Sequence, residues 1–224
     1  MPNNTLIFAK RSLSLSKIYS GMGIFFAAFG IFIADALTFL AKGAPEALFL
    51  IAVPFMALGI LIFTTSIILL YVYDKNNGVL EYLLSLGWNQ SDIFKSYLKT
   101  ALFLALTLFL AEFAANVVSS IIAGTTLFTL VLLALTAVLG FSAVSLATVS
   151  MMAFSSLQKQ RVGANSPLAL TIGAVVIIPT FYISFLPFFI AFLVDLSIAV
   201  VAGGLSIVLL ILSSRLIRRE KMLP

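Results

Sequence analysis

The side chains that could perform chemistry in this 224-residue chain are few. The sequence contains neither cysteine nor histidine, which excludes disulfides, thiolate nucleophiles and cysteine-ligated metals and removes the commonest general base. Serine–histidine proteolysis and zinc-dependent proteolysis within a membrane are therefore excluded. Because the remaining serines and acids form no convergent catalytic pattern, we do not expect an enzyme by itself, nor a metal or cofactor bound by this chain.

Polar residues within apolar segments are the first candidates for a binding role, because ionisable groups there usually mark a pathway. Asp35 and Glu112 lie past the middle of the first and third apolar segments, towards the outer leaflet, and Asn116 follows Glu112 by one helical turn. These residues predict an outward-facing polar vestibule or gate. The alternative is that both acids lie near enough to the outer headgroups to remain solvated. Asp195 is expected at the outer start of the last segment.

The composition identifies the environment of these residues. Hydrophobic residues make up 62% of the chain and charged residues 9%, whereas soluble domains are about 45–50% apolar. A soluble fold could not cover its surface with so few polar groups. The sequence therefore predicts an all-α integral membrane protein with one six-helix domain over residues 21–216. Six segments are long enough to span a bilayer: residues 21–41, 47–73, 98–118, 127–154, 168–194 and 196–216.

The distribution of charge predicts the orientation. Twelve of the thirteen basic residues fall on one side of the six spans, and only Lys42 falls on the other. The positive-inside rule makes the crowded side cytoplasmic, so both termini are cytoplasmic, including a basic tail at residues 217–224. We therefore expect a multi-pass protein of the plasma (cytoplasmic) membrane. The net charge of +5 is explained by topology, and no nucleic-acid partner is expected beside the lipid bilayer.

Two prolines, Pro179 and Pro187, interrupt the fifth segment, and each removes a helical hydrogen-bond donor. One interpretation is a single long helix that is kinked and tilted in the bilayer. The other is a helix that ends near Thr180, followed by a short re-entrant piece that returns outward towards Asp195.

Small residues recur at four-residue spacing in the first segment, where Gly23 pairs with Ala27 and Gly30 with Ala34. Such pairs allow helices to approach closely. They could form a seam between two copies of the chain or serve internal packing.

Residues 1–20 are too polar to span the membrane. Lys10 and Lys17 share one face of a helix, which predicts a helix lying in the cytoplasmic interface. This helix either anchors on lipid headgroups or also docks a cytoplasmic partner.

Residues 74–97 form the longest cytoplasmic loop and predict a short helix across the cytoplasmic mouth of the bundle. Asn77 and Gly78 are a turn pair, Gly87 is placed to end the short helix, and Asn89 is placed to cap the next one. Residues at helical spacing between the two glycines predict one apolar face, formed by Val79, Tyr82, Leu83 and Leu86.

This loop resembles the first coupling helix of ABC type-2 permeases, the membrane subunits of exporter-type ATP-binding-cassette transporters. The family has a polar run, then G-x-LE, LLS and a polar stretch that leads into the third span. The chain departs from the family at Gly87, where proline is frequent, and at Asn89 and Gln90, where a basic pair is frequent. The matching residues are Asp74, Lys75, Gly78, Leu80, Glu81, Leu83, Leu84, Ser85, Ser91, Asp92, Ile93 and Lys95.

The resemblance implies a permease that moves a substrate outward with energy from a separate nucleotide-binding ATPase subunit. The chain itself contains no G-x-x-x-x-G-K-[ST] phosphate loop, so ATP and Mg²⁺ would bind to the partner. The family also implies a second permease copy, in a homodimer or a heterodimer. The contact or hinge residues that would transmit a rigid-body motion from the ATPase are Gly78, Leu80, Glu81, Leu84 and Trp88. The alternative is an interfacial helix that simply rests on lipid.

Two other classes of function compete with this interpretation. An ion-coupled secondary transporter would place ionisable residues near the midplane, often in paired repeats. A non-transporting subunit would act in mechanotransmission or as a membrane scaffold.

Overall fold

The computed structural model describes residues 4–40, 50–123, 126–154, 166–183 and 185–216. All regular secondary structure in these residues is helical. The described residues form eight α-helices: α1 (Asn4–Leu15), α2 (Lys17–Leu40), α3 (Ala52–Asn76), α4 (Val79–Ser85), α5 (Gln90–Ala123), α6 (Thr126–Phe154), α7 (Ser166–Ile183) and α8 (Phe188–Leu216).

Five of these helices, α2, α3, α5, α6 and α8, are long and apolar enough to cross a membrane. Helix α7 is apolar too, but its apolar part, Ile172–Ile183, is shorter than the segments that are counted as long enough to cross a membrane. The prediction of an all-α membrane protein is therefore confirmed. That the chain crosses the membrane six times stays a prediction.

Helix α3 is the centre of the bundle. It packs against α1, α2, α4, α5, α6 and α7, and most of its side chains are buried. A largely apolar helix with little amphipathic character is expected in such a position, because no side of it needs to face water. Six of the other helices therefore take their positions from α3, whereas α8 packs mainly on α6 and also on α7.

Small residues allow α2 and α3 to touch backbone to backbone. A Cβ atom added at Gly59 of α3 would lie 2.7 Å from the amide nitrogen of Ala27 and 2.9 Å from the carbonyl oxygen of Gly23. A Cβ atom at Gly30 would lie 2.6 Å from Cγ of Met56. These small residues of α2 are therefore used for internal packing, and the alternative of a seam between two copies is wrong for them.

Pro179 and Pro187 affect the chain differently. Pro179 lies inside α7, which continues to Ile183. Pro187 precedes α8, and its carbonyl oxygen accepts hydrogen bonds from the amides of Ile190 and Ala191 at 2.9 and 3.0 Å. Proline is well suited to this place because the first residues of a helix need no amide donor.

Both interpretations of the fifth segment are therefore wrong in detail. No single helix runs through both prolines, and no re-entrant piece returns to Asp195, because residues 188–194 are the first two turns of α8. Asp195 lies inside α8 rather than at the start of a helix. The break falls between Ile183, where α7 ends, and Phe188, where α8 begins, and Pro179 lies exposed within α7 without ending it.

The contact between α2 and α3 makes a prediction about stability. Gly59→Ala should lower the free energy of unfolding by about 1–3 kcal/mol, because the new methyl group meets the backbone of α2, which cannot give way like a flexible side chain. The measurement is SDS-driven unfolding of the purified protein in mixed micelles.

Gly204→Ala is the matched control, since a Cβ atom at Gly204 in α8 meets nothing within 4 Å. Alanine is the better helix former by up to about 1 kcal/mol, so this variant should lose no stability. Equal behaviour of the two variants would contradict the close packing of α2 on α3.

Candidate functional site

The short helix α4 lies between two glycines with left-handed backbone conformations. Gly78 has φ of 71° and Gly87 has φ of 83°, a region that other residues adopt only with strain. At the start, the carbonyl oxygen of Gly78 accepts the amide of Tyr82 at 2.9 Å. The direction of α4 relative to α3 is therefore set by Gly78, one of the predicted hinge residues.

The end of α4 is a Schellman motif. The amide of Trp88 donates to the carbonyl of Leu83, and the amide of Gly87 donates to the carbonyl of Leu84, both at 3.1 Å. The predicted role of Gly87 is confirmed. The carbonyl of Asn89 then accepts the amides of Asp92 and Ile93, so that the next helix begins after Asn89, as predicted.

The face that α4 turns inward differs from the predicted one. Leu80 and Leu84 are buried, whereas Tyr82 is 63% and Leu86 58% exposed. The prediction of an apolar face containing Tyr82 and Leu86 is wrong. A helix of only two turns carries apolar residues on both sides, and periodicity alone cannot decide which pair packs against the protein.

The predicted coupling residues consequently divide into two groups. Leu80 and Leu84 hold α4 against the protein's own core and offer little surface to a partner. Glu81 is exposed. Trp88 is half-buried and lines an open cleft of about 390 Å³ together with Leu84, Gly87, Asn89 and Gln90. The outer surface that reasoning from sequence missed is formed by Tyr82 and Leu86, and we call it the α4 face.

A buried charge cluster lies directly before α4. The carboxylate of Asp74, near the end of α3, is fully buried. Nη2 of Arg11, on α1, lies 2.6 Å from Oδ1, and Nη1 donates to Oδ2 at 3.2 Å. The hydroxyl of Tyr97, on α5, donates to Oδ2 at 2.5 Å. The carboxylate of Asp74 therefore joins three helices, because Arg11 binds it in a bidentate, charge-assisted contact and Tyr97 donates a further hydrogen bond.

Aromatic rings shield this cluster. The ring of Tyr97 lies edge-on to the ring of Tyr71 at 5.3 Å and packs against the ring of Phe8 at 5.0 Å. A low-dielectric enclosure strengthens the ion pair, and it makes the loss of either partner costly. The cluster is not apparent from the sequence, because a charge in a polar run next to a loop is normally solvated.

The second group of candidates lies inside the bundle. Glu112 of α5 is fully buried and Asn116 nearly so. Nδ2 of Asn116 donates to the backbone carbonyl of Glu112 at 2.8 Å and lies 3.6 Å from Sδ of Met56 on α3. Asp35, on α2, is half-buried, and it hydrogen-bonds to neither residue. The structure therefore brings two of the three predicted residues together.

The side chain of Glu112 is enclosed by protein. Eleven residues separate it from the end of α5 at Ala123, which is about 16 Å along the helix. Its position relative to the outer leaflet stays a prediction. The alternative of a solvated acid near the outer headgroups is wrong for Glu112, because its side chain is enclosed by protein.

Asp195 of α8 is a second enclosed acid. It is fully buried, and neither its carboxyl oxygens nor those of Glu112 have a hydrogen-bond partner in the described part of the chain. No group of three or more acids that could hold a metal ion occurs among the described residues.

The helices place the chain in the class of multi-pass, all-α membrane proteins. No protein-family model, curated protein or solved structure matches this chain. The resemblance to ABC type-2 permeases therefore depends on the loop at residues 74–97 and on the order of the predicted spans.

The charge cluster makes a prediction about stability. Arg11→Ala should lower the free energy of unfolding by about 1–3 kcal/mol, because the enclosed carboxylate of Asp74 loses its charged donor. In a double-mutant cycle with Asp74→Asn, the two residues should show a coupling of about 0.5–3 kcal/mol. Unfolding of the purified variants in mixed micelles measures both values.

Lys10→Ala is the control, because Lys10 is the exposed basic neighbour of Arg11 on α1. This substitution should change the stability by less than about 0.5 kcal/mol. Additive effects of Arg11→Ala and Asp74→Asn would contradict a functional ion pair.

Proposed function

We propose that this chain is the membrane permease subunit of an ATP-binding-cassette exporter, which moves a substrate outward with energy from a separate ATPase subunit. ATP and Mg²⁺ bind to that partner. The observation that carries the proposal is α4: a short helix between two glycine turns, held inward by Leu80 and Leu84, with Tyr82 and Leu86 left exposed.

The connections of α4 suit it to transmit movement. It joins the end of α3, the central helix, to the start of α5 through turns of two to four residues. A partner that pushes on the α4 face therefore acts on both helices through short, hydrogen-bonded turns. Rigid-body displacement of packed helices is an established way of transmitting a conformational change.

The charge cluster supports the same function. Asp74 lies four residues before Gly78, and Tyr97 lies on the first part of α5. Their shared contact ties the two helices that flank α4 to each other and to α1. A displacement of α4 is thereby passed to the bundle instead of being absorbed by the turns.

In the proposed topology the chain crosses the plasma membrane six times, with α7 as the fifth span. Both termini lie in the cytoplasm. Lys75, Lys95 and Lys99 flank α4 and favour a cytoplasmic position for it. Six of the other basic residues used to predict the orientation lie outside the described residues: Lys42, Lys159, Arg161, Arg218, Arg219 and Lys221.

The topology can be tested because the chain contains no cysteine. Glu81→Cys should react with a membrane-impermeant maleimide only when the cytoplasmic side is open. Phe185→Cys, placed in the turn between α7 and α8, should react from the outside in intact cells. Both positions are exposed. Labelling of the two variants from the same side would contradict the proposed topology.

The α4 face makes a prediction about the partner. Tyr82→Ala should reduce co-purification of the ATPase subunit about tenfold or more, since an exposed aromatic residue of this kind is a typical interface anchor. The measurement is the amount of the ATP-hydrolysing subunit that is retained by the tagged, detergent-solubilised chain, identified by mass spectrometry and by its ATPase activity.

Tyr182→Ala is the matched control, because Tyr182 is equally exposed, at 74%, but lies on α7, near the turn that leads to α8. This variant should retain the partner at the level of the wild type. A chain that is stable and purifies without any ATPase would count against the exporter, as would equal loss in both variants.

An ion-coupled secondary transporter is the second candidate, and the observation that favours it is the enclosure of Glu112 and Asp195 within apolar helices. Carboxyls at this depth are typical of ion pathways. For the exporter, a second permease copy completes the complex as a homodimer or heterodimer. Its interface has to use residues other than the small residues of α2 that pack on α3.

A further inference from the structure

A line of polar side chains runs along the inner face of α5. Glu112, Asn116 and Ser120 follow one another at four-residue spacing, so they share one face of the helix, and all three are buried. The two nearest the middle of α5, Glu112 and Asn116, lie where α5 packs on α3, as the contact of Asn116 with Met56 indicates. A polar line of this kind in an apolar bundle needs a physical explanation.

The donors in this line are already used. Nδ2 of Asn116 donates to the carbonyl of Glu112 at 2.8 Å, and the hydroxyl of Ser120 donates to the carbonyl of Val117 at 2.9 Å. The polar side-chain atoms that remain at the middle of α5 are the two carboxyl oxygens of Glu112 and the amide oxygen of Asn116. Oxygen atoms without donors suit a cation, and carboxylate and amide oxygens are ligands that hard cations prefer.

Among the residues that the structure describes, no basic side chain is placed to neutralise Glu112. On the helices that pack against α5, the described basic residues are Lys10 and Arg11 of α1, Lys17 of α2 and Lys75 of α3, and all lie towards the end of the bundle that carries α4. Lys95 and Lys99 lie at the same end of α5. Helix α6 carries no ionisable residue, and Asp35 of α2 is itself an acid.

We propose that Glu112 and Asn116 bind one monovalent cation in the middle of the helix bundle. The charge of the site determines the class of ligand. One carboxylate balances one positive charge, so a monovalent cation leaves the enclosed site neutral, whereas a divalent ion would leave an uncompensated charge in an apolar interior. The ligand is an alkali metal ion, of which Na⁺ is the natural probe, or a proton that exchanges with water.

The same line of residues indicates the access route. Ser120 lies two turns beyond Glu112, towards the end of α5 at Ala123. A cation that enters from that end meets Ser120 first, then Asn116, and finally Glu112. The site is closed in this structure, because all three side chains are buried.

The test is equilibrium binding of ²²Na⁺ to the purified wild type in nanodiscs, with choline chloride holding the ionic strength constant and K⁺ as competitor. We expect saturable binding of one ion per chain. Glu112→Gln should abolish this binding, and Asn116→Ala should weaken it about tenfold, because the cation loses one oxygen ligand. Thr107→Val changes a polar residue on the exposed side of α5 and should leave binding unchanged.

The proton is distinguished by a second measurement on the same samples. If a proton occupies the site, no Na⁺ or K⁺ binds, and on transfer to alkaline medium the wild type and Thr107→Val each release one proton more than Glu112→Gln. Identical ion binding and identical proton release by wild type and Glu112→Gln would overturn the proposal. If Glu112→Gln does not fold, Asn116→Ala and Glu112→Asp are used instead. For these two variants, an ion affinity equal to that of the wild type, or, where no ion binds, proton release at the same pH as in the wild type, would overturn the proposal. Neither result depends on an ATPase partner.

Discussion

The enclosed carboxylate of Asp74 is the constraint on which the α4 end of the molecule depends. A charge at the end of the most buried helix is tolerable only with a cation and further hydrogen bonds, and these come from Arg11 and Tyr97. The requirement explains why α1, a short polar helix, packs on α3 and α5 instead of lying free at the interface. It also explains why the chain can place α4 reproducibly, since the segments on both sides of α4 meet at one carboxylate.

Much of the architecture could be read from the sequence. Long apolar segments identified the membrane class, because backbone groups in lipid have to be satisfied within a helix. Gly78, Gly87 and Asn89 marked the limits of α4 and the start of α5, because glycine turns and helix starts are local features. The existence and limits of these elements depend on neighbouring residues along the chain, which is the information that a sequence contains most directly.

The errors concern relations between distant parts of the chain. Tyr82 and Leu86 were assigned to the wrong side of α4, since a two-turn helix fits either side equally well until the body it packs on is known. In the sequence, Arg11 is one of the basic residues that indicate topology and Asp74 is part of a polar run. Their ion pair is not predictable from local pattern, because 63 residues separate them. The sequence does not distinguish Pro187 from Pro179, because a proline that precedes a helix and one that lies within a helix have the same local signature. The enclosure of Glu112 is not apparent from the sequence, because α5 packs against helices that are distant along the chain.

Helix α5 runs without interruption over 34 residues, about 51 Å, which is well beyond the thickness of a bilayer core. One end of this rod is held at Asp74 by Tyr97, and Glu112 lies about 33 Å from its first residue. A tilt of about 5° at the α4 end would displace Glu112 by about 3 Å, the length of a hydrogen bond. Because α5 is one continuous helix, a movement of the exposed surface of α4 would be passed along it to the enclosed carboxyl of Glu112, although the two are far apart.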